Sequence, residues 1–146
     1  MPRRPPPLPA LAEDAVLAAN QAFYDAFANR DLAAMDALWS REGPVACIHP
    51  GWNPLTEREE IIAAWAAILR NPDAPDIQVE NPVPMLLGDT AMVICHERVG
   101  SALLACANLF RLEQGVWRMV LHQAGPVSEE PVRGEDEMKP PSRTMH

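Results

Sequence analysis

From Asn108 to Pro126 the chain reads Asn-Leu-Phe-Arg-Leu-Glu-Gln-Gly-Val-Trp-Arg-Met-Val-Leu-His-Gln-Ala-Gly-Pro. Two long apolar-rich runs flank a tight Glu-Gln-Gly turn, and a Trp opens the second, which predicts a hairpin of two long strands. Polar residues interrupt the apolar ones in both. A sheet built on these strands has one face that is partly polar, the kind of face that lines a cavity. This feature says where a ligand would sit and leaves its identity open.

The remaining segments place that hairpin at the end of a meander. From Glu13 to about Asn29, Val16, Ala19, Phe23 and Phe27 recur at spacings of three and four with Tyr24 beside them, an amphipathic helix. Asp31 is placed to cap a second short helix carrying Leu32, Met35, Leu38 and Trp39 on one face. Val45 to His49 reads as a short strand, followed by an irregular Pro-Gly and Asn-Pro loop that carries Trp52. Thr56 with Glu59 forms a capping box for a third helix running to about Arg70. Beyond it, Pro82 and Pro84 confine a strand from Asp76 to about Leu87 to a sheet edge or a bulge. Gly88-Asp89, Gly100-Ser101 and Gly115 then punctuate three further strands. Helices first and strands later predict an α+β domain, with the helices packed on one face of a strongly curved antiparallel or mixed sheet.

At 146 residues the chain fits one domain. The expected boundaries are a Pro-rich tail over 1–12, a folded body over 13–126 and a solvated acidic tail over 127–146. A formal charge of −8 argues against nucleic-acid binding, which requires a basic face. No apolar run reaches the ~20 residues of a membrane span, and the basic N-terminus lacks the apolar stretch of a secretory signal. Cys47, Cys95 and Cys106 are an odd number, each inside an apolar run, which predicts reduced, buried thiols in a cytoplasmic protein. The His and Cys residues show no His-x-x-x-His or Cys-x-x-Cys spacing, so no metal site and no cofactor are expected.

The element order, together with Phe23-Tyr-Asp-Ala-Phe-Ala-Asn-Arg-Asp-Leu32, Leu38-Trp39 and Gly115-Val-Trp-Arg-Met-Val120, resembles the nuclear transport factor 2-like superfamily, and within it the SnoaL-like branch. The resemblance covers about residues 13–126. It implies a cone-shaped domain enclosing a pocket between curved sheet and helices, and a homodimer formed through the outer face of the sheet. Similar family members end the last strand as Trp-x-x-x-His-x-His on the inner face. Counted from Trp117, those positions hold Leu121 and Gln123, so both histidines are missing, and His122 is expected to point outward. The association domain of calcium/calmodulin-dependent kinase II, which shares this fold, similarly carries polar groups at the inward positions matching Glu97 and Asn108.

Strand alternation sets the candidate site. Glu97, Asn108 and Phe110 are expected to face inward with Gln123, while His96, Arg98, Arg111 and Arg118 decorate the opposite face. A carboxylate in an apolar cavity has its pKa raised by desolvation, which suits Glu97 to general acid or base work, and His49 sits at the expected mouth. Glu97 and His49 are therefore the candidate catalytic pair. Tyr24, Trp52, Asn108, Phe110 and Gln123 are the candidate ligand contacts. For each there is a plainer alternative, such as a paired carboxylate, a loop-anchoring histidine or amides holding water. The resemblance implies a small hydrophobic organic ligand and, if the protein is an enzyme, a cofactor-free isomerase, cyclase or dehydratase. A non-catalytic ligand-binding or dimeric scaffold module is the competing expectation.

Overall fold

The computed structural model describes residues 8–128. The first helix, α1, spans Leu8–Ala28 and α2 spans Leu32–Leu38; β1 is Ala46–Ile48 and α3 is Arg58–Arg70. Four strands complete the described residues: β2 at Ile77–Leu87, β3 at Thr90–Val99, β4 at Ala102–Glu113 and β5 at Val116–Pro126. Strand order is β1-β5-β4-β3-β2, with β1 parallel to β5 and every other pair antiparallel. Three helices thus pack on a five-stranded mixed sheet, the expected α+β architecture. No helix of the described residues is long and apolar enough to cross a membrane.

Turn chemistry makes the meander local. Two residues join each of its strand pairs. Gln114 and Gly115 both have positive φ, 53° and 81°, the two left-handed positions of a type I′ turn. Gly88 and Gly100 occupy the first positions of the other two hairpins at φ 65° and 60°, where glycine carries no steric penalty. On the edge strand β2 the pairing shifts between Glu80 and Val83. Asn81 there takes a left-handed φ of 52°, and Pro82 sits where no ladder donor is needed.

Three local expectations are corrected. α1 begins at Leu8, so residues 8–12 are helical rather than part of an N-terminal tail; residues 1–7 and 129–146 lie outside the described region. The N-cap of α3 is Glu57 with no side-chain cap bond, so the Thr56–Glu59 capping box does not form, whereas Asp31 does cap α2 by accepting from Ala34 N at 3.1 Å. The third correction decides the site. Between Leu109 and Phe110 the β4–β5 register shifts: Phe110 faces Met119 while Leu109 faces Leu121, leaving Val120 as an extra residue. A one-residue bulge reverses which side chains point inward beyond it. His122 therefore faces the helices, 3% exposed, and Gln123 faces solvent on the outer side.

The core lies between the helices and the inner face of the sheet. Val16, Phe23 and Phe27 of α1 meet Trp65 of α3 and Val93, Phe110 and Met119 of the sheet. Edge-to-face ring contacts join Phe23 to Tyr24 and Trp65.

Candidate functional site

Polar side chains from α1 and three adjacent strands converge inside this core. α1 supplies Asn20 and Tyr24, one helical turn apart and so on one face. β3 supplies Cys95 and Glu97 by alternation, β4 supplies Cys106 and Asn108, and β5 supplies His122 through its bulge. Glu97, Asn20, Asn108 and His122 are each between 0% and 3% exposed. Burying so many polar atoms is tolerable only if they satisfy one another.

They do so in a directional chain. The Asn108 amide donates from Nδ2 to Asn20 Oδ1 at 2.8 Å and to Tyr24 Oη at 3.1 Å. Tyr24 Oη donates to Glu97 Oε2 at 2.6 Å. Asn108 Oδ1 is thus left as an acceptor for His122 Nδ1, 2.6 Å away, which assigns the ring proton to Nδ1. Proton donation runs one way, from His122 through Asn108 and Tyr24 to Glu97. The thiols of Cys95 and Cys106 lie 3.5 and 3.4 Å from Tyr24 Oη.

The surroundings push Tyr24, Glu97, Cys106 and His122 toward their neutral forms, while the hydrogen bond from Cys106 lowers the Cys95 thiol. Desolvation raises the Glu97 carboxyl above the usual carboxylate range, only partly offset by donors from Tyr24 and Cys106. Desolvation, with the neighbouring His49, lowers His122 to about 3, and burial also lowers His49. Cys47 is pushed up to about 12, by burial first and by the nearby Glu97 second.

His49 directly follows β1 and is 6% exposed. Its ring lies 4.7 Å from Trp52, 4.8 Å from Trp65 and 6.3 Å from His122, and Cys47 Sγ is 3.5 Å from its Nε2. The loop carrying Trp52 is pinned at its base by paired Cys47–Leu55 backbone bonds of 2.8 Å. Trp52 itself is 49% exposed and forms an outer cover on His49. Phe110 is fully buried in the apolar core opposite Met119.

Of the residues singled out in the sequence, the structure brings Tyr24, Glu97 and Asn108 into direct contact and sets His49 beside His122. Gln123, expected as a ligand contact, is on the opposite face. Asn20 and His122 were missed. Asn20 was discoverable as the residue one turn before Tyr24 on the same helical stripe; His122 was hidden by the bulge. Donor atoms of Glu97, Cys106 and His122, the residues best able to hold a metal among those described, lie within 4.8 Å of one another.

The SnoaL-like domain family matches residues 16–128 of the chain. The chain is a SnoaL-like domain of the NTF2-like superfamily. Among solved structures it is similar to a candidate dehydratase of the NTF2-like family from Streptomyces avermitilis. That pair shares 29% identity and a TM-score of 0.76, covering 83% of this chain and 99% of the other. It is also similar to a candidate calcium/calmodulin-dependent protein kinase type II association domain from Thiobacillus denitrificans. There the identity is 34% and the TM-score 0.67, over 76% of this chain and 94% of that one. The F-box protein SKIP8 of Arabidopsis thaliana is 28% identical over 112 residues, 75% of this chain; the match spans about half, 48%, of that longer protein.

Proposed function

We propose that this SnoaL-like domain binds a small hydrophobic carbonyl compound and performs cofactor-free proton transfer on it, as an isomerase, cyclase or dehydratase. The observation that carries this reading is the one-way chain His122–Asn108–Tyr24–Glu97 in an apolar enclosure. A desolvated carboxyl is a proton acceptor or donor tuned toward neutral pH. Tyr24 Oη–H and Asn108 Nδ2–H are engaged with Glu97, Asn20 and one another in the closed cluster. A substrate oxygen that replaces the 3.1 Å Asn108–Tyr24 bond would take both as donors with its α-carbon facing Glu97. His122 fixes the Asn108 amide, so the donors are oriented before the oxygen gains charge. A ligand reaches the cluster by displacing the covering Trp52 loop above His49. The similarity to the Streptomyces dehydratase candidate supports the same class of chemistry.

The test is exchange of α-protons for deuterium in a panel of cyclic ketones and enones, followed by NMR. Wild-type protein is expected to accelerate exchange on at least one member, and Glu97→Gln to lower that rate by about 10²–10⁴-fold while leaving ligand affinity within about threefold. Equal exchange by Glu97→Gln would sink the reading.

A second reading, a dimeric scaffold, is favoured by the outer face of the sheet. There Ile94, Ala105, Ala107, Gln123, Gly125 and Pro126 line a shallow depression of about 410 Å³, and Ile94 is 37% exposed. Small residues on this face of the sheet let a second copy approach closely. Self-association unaltered by Glu97→Gln but lost on Ala107→Arg, measured by sedimentation, is the expected outcome for that role.

A further inference from the structure

We propose that Glu97, Cys106 and His122 form a binding site for one zinc-like divalent cation. The inference concerns the same buried cluster as the acid–base reading but does not depend on turnover. The three residues stand on adjacent strands, β3, β4 and β5, so a hydrogen-bonded sheet fixes their spacing. All three are at most 4% exposed, and their donor atoms lie within 4.8 Å of one another.

Charge and donor type agree with such an ion, as does the sulfur–nitrogen spacing, and the other donors must close up around it from a set that spans up to 4.8 Å. A tetrahedral ion with bonds of about 2.3 Å to sulfur and 2.0–2.1 Å to imidazole nitrogen sets those atoms roughly 3.6 Å apart. Cys106 Sγ and His122 Nδ1 are 3.8 Å apart. Asn108 Oδ1, hydrogen-bonded at 2.6 Å to that nitrogen and 3.5 Å from that sulfur, must move back to the roughly 3.3 Å that separates tetrahedral ligands before it can close the coordination as a carbonyl oxygen. One thiolate, one carboxylate and a neutral imidazole balance a double positive charge, so the filled site leaves no net charge in the core. On binding, the Cys106 thiol gives its proton to solvent, as does Glu97 wherever it is protonated, and the His122 ring proton moves from Nδ1 to Nε2. Mixed sulfur, nitrogen and oxygen donors select zinc and its borderline-soft neighbours over magnesium or calcium, which take all-oxygen shells. The outer supports of such a site are present too. Tyr24 donates to the Glu97 carboxylate, and Asn20 accepts from Asn108 Nδ2 and holds its carbonyl in place.

The test is titration of the reduced, untagged, full-length protein with Co²⁺, read by absorption. A thiolate-to-cobalt charge-transfer band with tetrahedral visible bands is expected, saturating at one equivalent and displaced by Zn²⁺. Cys106→Ser is expected to remove the charge-transfer band and Cys47→Ser to keep it. No saturable band, or a band that survives Cys106→Ser, overturns the proposal. Should Cys106→Ser fail to fold, X-ray absorption on zinc-loaded wild-type protein decides: one sulfur at about 2.3 Å supports the site, and a shell without sulfur overturns it. Chelator-treated wild-type protein separates this inference from the acid–base reading. Proton exchange without metal binding ends the metal proposal alone, and metal binding without exchange ends the other.

Discussion

Two glutamates in this molecule each accept one hydroxyl hydrogen bond of 2.6 Å, and they titrate in opposite directions. Glu97 takes its bond from Tyr24, Glu113 from Ser40. Glu113 also binds the Arg111 guanidinium. Burial works to raise Glu113, but Ser40 and Arg111 outweigh it and hold that carboxyl below its ordinary value. Around Glu97 the donors are neutral, a phenol and a thiol, and desolvation wins. A hydroxyl alone therefore does not hold a buried carboxyl below its ordinary value; a counter-charge does. The same contrast separates two regions. Near the α2–α3 junction, Arg58 binds Asp36 Oδ1 at 2.9 Å and the Ser40 carbonyl at 3.1 Å, an ionic clasp that ties two helices. Inside the sheet the polar atoms form a network without a cationic partner among the described residues, suited to moving a proton.

Substitutions at the two sites sharpen this contrast. Glu97→Gln carries the largest effect, the 10²–10⁴-fold loss of proton exchange given above. Glu113→Gln is expected to leave that rate unchanged. Because the Glu97 pKa is raised, its stabilising contribution belongs to low pH and fades as pH rises through the folded value. Glu97→Gln should accordingly keep or raise stability at pH 7 in urea unfolding, while activity is lost.

His122 provides the next test. Its folded pKa of about 3 lies below the ordinary 6.5, so the unfolded chain takes up a proton that the folded chain refuses. Stability is complete above pH 6.5 and falls toward pH 3, by at most about 1.4 kcal/mol per pH unit and several kcal/mol in all. His49 adds in the same direction. His122→Gln, which can still donate to Asn108, should flatten this acid limb in a pH series of denaturant midpoints.

Asn108→Ala strands the His122 donor and the Asn20 acceptor in the core, and should cost on the order of 3 kcal/mol. Smallest is Glu113→Gln, about 1 kcal/mol at neutral pH from a part-exposed ion pair. Its contribution is present above the ordinary carboxylate pKa and vanishes below the depressed one, so wild type and variant should converge in acid. Equal losses at Asn108 and Glu113 would break the distinction between network and clasp.

The fold was legible in the sequence where backbone chemistry is residue-specific. Glycines at left-handed turns, prolines at the β2 edge and bulge, and the Asp31 cap each leave a signature because few residues can substitute for them. The site was legible as far as alternation holds, which is why Tyr24, Glu97 and Asn108 are found together. It failed at Val120, since a bulge inside a continuous apolar run needs no special residue and leaves no mark, and that one position exchanged His122 for Gln123. Ligand spacing along the chain leaves no trace of the proposed cation site for a related reason. Glu97, Cys106 and His122 come from three strands, and only their registry brings the donors together.

The three two-residue hairpins also bear on how the chain assembles. Each joins neighbours along the chain, so β2 through β5 can zip up from short-range contacts. By contrast β1 reaches β5 across some 75 positions, pairing Cys47 with His122. That long closure makes β1 and the segment after it the last piece to dock and the first to let go. Native-state amide exchange should find Ala46–Ile48 opening at lower free energy than β3 or β4, so that His49 is periodically uncovered while the rest of the sheet stays folded.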